Sequence, residues 1–293
     1  MKNRLLKLTN RNADSGKGIN QSVLLIALIV ILVIIATLVN PRFIRITNII
    51  NIFQQVSVLG IIACGVGMLL VSGDIDISVG SQVSLLGIII AMIIEKLGGL
   101  ETGDPNAWIQ PFAMPLAVIA SFVLGALLGL INGVIVIRSG VTSFIITLGF
   151  STIYKGVALL VSHGASFMLF GKFETLGRGR VFGVIPVAIF FFIGVVVLTH
   201  IILKYTKYGR FLYALGGNKK AAYVSGINTR RVTLRAYITV GLLNGMAALI
   251  LISRVGSALA TTGDSYSLDA LAAIIVGGVI LTGGKGSALN IFL

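Results

Sequence analysis

From Ser22 to Val39 the chain reads SVLLIALIVILVIIATLV, a stretch of about 18 residues without a charge, which is the length an α-helix needs to cross a hydrocarbon core of about 30 Å. Inside a bilayer only helices and closed barrels satisfy every backbone amide. One such run therefore restricts the fold more than any other feature of the chain, and it does not stand alone. Apolar runs near 22–39, 52–72, 78–94, 112–137, 144–161, 182–203, 236–252 and 268–282 predict about eight spans. The first run lacks a clear small-residue cleavage site and more spans follow it, so it reads as an uncleaved helix and not as a signal peptide. The expected fold is all-α and polytopic. A basic N-terminus (1–21) precedes a single transmembrane domain (22–293).

Composition agrees with this. The chain is 56% hydrophobic and only 11% charged, whereas a soluble domain carries about a quarter charged residues. The net charge of +14 does not imply a nucleic-acid partner, because the basic residues cluster. Lys2, Arg4, Lys7, Arg11 and Lys17 precede the first span. Lys204, Lys207, Arg210, Lys219, Lys220, Arg230, Arg231 and Arg235 crowd the polar stretch 204–235, which holds no acid. Clusters of this kind mark the cytoplasmic side of a membrane protein and its contact with anionic headgroups. That orientation puts the acid-rich loop 95–111 outside. It also puts 40–51 and 162–181 outside, against their own basic residues. Cys64 is alone in an apolar run, which leaves no disulfide, cysteine-rich metal site or redox pair.

Three segments break the apolar pattern. In VSGDIDISVGS (71–81) the acids Asp74 and Asp76 interrupt two spans, with Gly73 and Gly80 beside them. Carboxylates at such a place face a cavity, a partner or backbone donors. They read either as a proton or cation relay or, more plainly, as a helix break whose Asp and Ser groups satisfy freed amides, with Ser78 and Ser81 capping the next helix. A related pattern follows Gly256, where Asp264 and Asp269 precede a short apolar run and Ser265 and Ser267 are potential caps. Paired interrupted segments often line a transport path, so Asp74, Asp76, Ser78, Gly80, Asp264 and Asp269 are candidates for a translocation path or helix break. The third segment is GGNKKAAYVSGIN (216–228). Its residues Lys219–Val224 favour helix and Gly226 is a suitable stop. A short basic helix of this kind suits a lipid surface or a partner's groove.

Signals of chemistry are missing. GGKGS (283–287) lacks the leading glycine and the final Ser or Thr of a phosphate loop, so it reads as a turn. His163 and His200 are isolated, no paired-histidine metal spacing exists, and GxSxG does not occur. No catalytic residue, metal or cofactor is expected.

Five segments together resemble the permease subunits of bacterial sugar-importing ATP-binding-cassette (ABC) transporters, the ribose, galactose, xylose and autoinducer-2 group. They are NPRFIRITNIINIFQQVS (40–57), SGDIDISVGS (72–81), INGVIVIRSGVTSFIITLG (131–149), YGRFLYALGGNKKAAYVSGIN (208–228) and SYSLDALAAIIVGGVILTGGKG (265–286). The resemblance implies a multi-pass protein of the bacterial cytoplasmic membrane that passes a monosaccharide or related polar solute inward. It implies a second permease copy, an extracytoplasmic solute-binding protein and a separate ATPase subunit that binds the ATP. It makes the 204–235 stretch a coupling loop whose docking residues are Asn218, Lys219, Lys220, Ala221, Ala222, Val224, Ser225, Gly226 and Ile227. It also implies about ten spans and further apolar sequence beyond about Gly286, where this chain reads SALNIFL, so the C-terminal spans are expected to be truncated. An ion-coupled secondary transporter using the intramembrane Asp residues is the alternative reading.

Overall fold

A computed structural model describes residues 21–97, 111–169 and 171–292. The basic N-terminal residues Lys2 to Lys17 and most of the acid-rich loop, 98–110, lie outside the described residues. Helix follows helix in chain order: α1 (Gln21–Val39), α2 (Ile46–Val71), α3 (Val79–Leu97), α4 (Ala113–Ser139), α5 (Ser143–Ser162), α6 (Val187–Tyr205), α7 (Lys207–Gly217), α8 (Lys219–Val224), α9 (Thr229–Val255), α10 (Tyr266–Val276) and α11 (Ala288–Phe292). Strand is confined to two-residue pieces. β1 (Phe167–Met168) pairs antiparallel with β4 (Ser257–Ala258), and β2 (Arg180–Val181) with β3 (Ile185–Pro186).

Among the described residues, α2, α3, α4, α5, α6 and α9 are long and apolar enough to cross a membrane, and α1 is a shorter apolar helix. They sort into two shells. α2, α3 and α9 are mostly buried, whereas α4, α5 and α6 show most of their surface. In α2 every residue from Ser57 to Val71 except Leu59 is buried, which is why its sequence is apolar on all sides. The outer helices and α1 turn Leu, Ile, Val and Phe outward, the surface that lipid tails accept. Small residues allow the shells to close. A Cβ on Gly125 of α4 would stand 2.3 Å from the carbonyl oxygen of Gly241 on α9, so only glycine lets these two backbones touch.

Two expectations are corrected. The run 268–282 is not one continuous helix. Its helix α10 covers only Tyr266–Val276, about 16 Å at 1.5 Å per residue, because Gly278, Gly283, Gly284 and Gly286 all take positive φ. The stretch 204–235 is not a loop around one short helix. It folds as the end of α6, then α7, α8 and the first turns of α9, so Arg230, Arg231 and Arg235 are helical. The remaining span boundaries move by a few residues. The largest shift is at 182–203, whose helix begins only at Val187 because Gly183 (φ 71°) and the β2–β3 hairpin occupy the preceding residues.

Candidate functional site

The break between α2 and α3 is the most polar place in the interior. α2 ends where Gly73 takes φ 84°, a conformation that glycine adopts without steric cost. The Asp74 amide still reaches the Leu69 carbonyl of α2 at 3.2 Å, but those beyond it have no helical partner, and burying them unpaired would be costly. Side chains take them up one by one. Ser143 Oγ accepts from Ile75 N at 3.0 Å, Thr147 Oγ1 from Ile77 N at 3.0 Å, Asp76 Oδ1 from Ser78 N at 2.8 Å and Ser267 Oγ from Gly80 N at 3.0 Å.

Asp76, 1% exposed, is the centre of a wider network. Its Oδ1 also accepts from the Ser78 hydroxyl at 2.6 Å. Its Oδ2 accepts from Asn132 Nδ2 of α4 at 3.2 Å and from Gln82 Nε2 of α3 at 3.4 Å. Both amides also donate to Ser78 Oγ at 2.8 Å. Tyr154 of α5 donates to Asn132 Oδ1 at 2.6 Å, and Asn244 Nδ2 of α9 to Gln82 Oε1 at 3.0 Å. One carboxylate thus ties the break to α3, α4, α5 and α9. Ser78 and Ser81 do not cap α3 as expected. The Asp76 carboxylate takes the Ser78 amide instead, and the Ser81 hydroxyl reaches Ser151 at 2.9 Å.

The second break is built differently. Asp264 pairs with Lys155 of α5 at the surface, and Asp269 is exposed on α10. Ser265 makes no capping hydrogen bond at the start of α10, and Ser267 serves Gly80 instead. The two breaks do meet, through backbone. Gly263 N donates to Ser84 Oγ at 2.8 Å, and a Cβ on Gly80 would lie 2.3 Å from the Gly263 carbonyl oxygen. No hydrogen bond joins any two of the four acids among the described residues, so the geometry does not assemble the carboxylate chain that an ion relay needs.

At the basic end of the bundle three helices start in succession on side-chain caps. Thr206 Oγ1 accepts from Gly209 N, Asn218 Oδ1 from Ala221 N and Asn228 Oδ1 from Arg231 N, each at 3.0 Å, the N-cap arrangement that Thr and Asn favour. Within Asn218–Ile227, Ala222 faces inward and is buried, Ile227 is half-buried, and Lys219, Lys220, Ala221, Val224 and Ser225 are exposed. Gly226 (φ 83°) turns the chain. Tyr223, omitted from the expected docking residues, is 69% exposed beside Val224 at 84%. Behind α8, the end of α7 presses on the first break. A Cβ on Gly216 would sit 2.0 Å from the Val71 carbonyl oxygen, and that oxygen accepts from Gly284 N at 2.9 Å. Asp74 lies here, 8% exposed. Burial pushes its carboxyl above the ordinary carboxylate value, while the Lys219 charge and a hydrogen bond with Ser143 pull it down.

Gln82, Asn132, Tyr154 and Asn244 were not singled out from the sequence. The signal was there: each is a polar, uncharged side chain inside an apolar run, where it must find a partner.

A two-shelled bundle of apolar helices, with a buried polar break between two inner helices and a capped helical elbow at one end, is the build of a membrane transport subunit. Residues 48–293 match the family described as the branched-chain amino acid transport system / permease component, and the chain belongs to that family. It is 36% identical to the ribose import permease protein of Haemophilus influenzae over 293 residues, covering 98% of this chain and 85% of the relative. The ribose import permease protein of Escherichia coli K12 is 38% identical over 270 residues, with 89% and 78% covered. The galactose/methyl galactoside import permease protein of the same organism is 33% identical over 276 residues, with 90% and 80% covered. No solved structure matches the chain. The protein is a multi-pass permease of the bacterial cytoplasmic membrane.

Proposed function

We propose that this chain is the membrane-spanning subunit of an ABC importer that admits ribose or a closely related monosaccharide. In this reading α8 docks in a groove of a separate ATPase. A second permease copy completes the pore, and an extracytoplasmic binding protein delivers the solute. The basic end, with α7 and α8, is then cytoplasmic, in keeping with its lysines and arginines. The single observation that supports the docking assignment is the tip of α8. Tyr223 and Val224 are exposed, while Ala222 behind them is buried. An aromatic and a β-branched side chain held outward by a packed back are typical anchors for a partner's pocket. The backbone contact of Gly216 with Val71 gives the docked helix a stiff route to the first break, so a rigid-body movement of the ATPase can reach the pore-forming helices.

The test is co-purification of the permease with the ABC ATPase of its own organism's ribose importer, together with ribose uptake. Replacing Val224 with Asp or Ala222 with Trp is expected to abolish the complex and uptake together. Unaltered complex formation by both variants would falsify the docking assignment. Uptake by the permease alone that collapses with the ion gradient would favour the secondary transporter instead.

A further inference from the structure

Between the first break, the α4–α5 turn and the start of α9 lies a cavity of about 440 Å³ that opens at the basic end. This volume is in the range of small-molecule sites. Its walls are chemically uneven. Its lining includes Asp74 and Ser143 as well as Lys219 and Arg230. Among the described residues neither cation forms a salt bridge, and Asp74 lies beyond salt-bridge distance of both. Thr233, also in the lining, is 1% exposed and its hydroxyl has no hydrogen-bond partner. A buried hydroxyl without a partner is uncommon in a native interior and calls for a group to pair with it.

We infer that this cavity binds the phosphorylated form of the imported sugar from the cytoplasmic side. The two cations match a phosphate, which carries about −1.5 to −2 charge near neutral pH. Asp74 accepts from sugar hydroxyls, and Thr233 offers its unpartnered hydroxyl. A bare anion would leave the Asp74 carboxylate facing negative charge. A neutral zwitterion would leave one positive charge unmatched. The ligand would tie Lys219 of α8 and Asp74 of the first break, which move as one body, to Arg230 at the start of α9. Its presence would therefore hold one transport state and slow import when the phosphorylated sugar accumulates. The identity of the ligand rests on the sugar-import reading.

The test is equilibrium binding to the full-length protein in lipid nanodiscs, with ribose 5-phosphate, ribose, inorganic phosphate and leucine as probes and no ATPase present. Failure here leaves the docking and uptake results above untouched. Ribose 5-phosphate is expected to saturate at least about tenfold tighter than the other three. Arg230→Gln should weaken it roughly tenfold or more, and Thr233→Val roughly two- to tenfold. Both variants are checked first for an unchanged elution profile and unfolding midpoint. Arg230→Lys, which keeps the charge, should retain most of the binding. Equal binding of inorganic phosphate would make this a simple anion site and overturn the proposal. Equal binding of ribose with no effect of Arg230→Gln would make it the exit of the transport path, and tighter binding of leucine would make it a zwitterion site. Either result, or no saturation by ribose 5-phosphate, overturns the inference.

Discussion

The two helix breaks resemble each other in sequence and differ in what their acids do. Around 72–81 the acid Asp76 is sealed in the bundle and receives hydrogen bonds from Ser78, Asn132 and Gln82. Around 256–269 the acid Asp264 is at the surface, paired with Lys155, and the inner contacts fall to Gly263 and Ser267. The first break is organised by a carboxylate, the second by backbone and a hydroxyl. A carboxylate that accepts several short hydrogen bonds can remain buried without a cation. One that lacks them stays at the surface or finds an ion partner. The motif therefore does not assign a role to its acid; the neighbouring helices do.

The comparison is broken most directly at Asp76. Replacing it with Ala strands the Ser78 amide and hydroxyl and removes an acceptor from both Asn132 and Gln82. Losing a buried charged partner of this kind costs about 3 kcal/mol or more. The expected result is a large fall in the unfolding midpoint in detergent and in the amount of protein recovered from membranes. Asp76→Asn should not restore it, because its amide would point donors at the donors of Asn132 and Gln82. A loss no larger than that of an Asp264 variant would erase the distinction between the breaks.

A middle-sized effect is expected where the breaks touch. Gly80→Ala would put a Cβ 2.3 Å from the Gly263 carbonyl oxygen and 2.7 Å from Ser267 Oγ. Backbone has to shift to admit it, at a cost of about 1–3 kcal/mol. If the contact transmits movement between the two breaks, uptake should fall further than stability does. The measurement is sugar uptake per folded permease, set against the unfolding midpoint. Normal uptake by a stable Gly80→Ala protein would mean that the breaks move independently.

Much of this architecture was legible in the residues. The spans follow from uncharged length, and the end of α2 from Gly73. The short helix at Lys219–Val224 follows from its composition and from the stop at Gly226. Less legible were features that depend on three-dimensional neighbours. α10 stops at Val276 although apolar residues continue, since glycines, and not polarity, end it. Arg230 to Arg235 read as loop because charge dominates the pattern there, yet the Asn228 cap starts α9 ahead of them. The network around Asp76 was half visible. Asn132, Ser143 and Thr147 all lie within INGVIVIRSGVTSFIITLG, one of the segments that carried the family resemblance, but nothing in the linear order says that they converge on residues 75–78. Gln82 and Asn244 are 162 positions apart, a separation that only the packing of α3 on α9 closes.

The smallest effect should come from the Lys155–Asp264 pair. Its side chains are 40% and 37% exposed, so if water reaches them the pair contributes less than about 1 kcal/mol, and salt weakens it further. Asp264→Asn and Lys155→Gln, alone and together, form a double-mutant cycle that isolates their interaction from other consequences. A small coupling that shrinks between low and high ionic strength is expected for a pair at an aqueous surface, such as a wall of the pore. A coupling several times larger and indifferent to salt would require the pair to be shielded, by lipid or by a second permease copy, because desolvation strengthens a charge interaction and removes its screening. In that case the second break would also be organised by its carboxylate, with the shielding supplied from outside the chain instead of by its own helices.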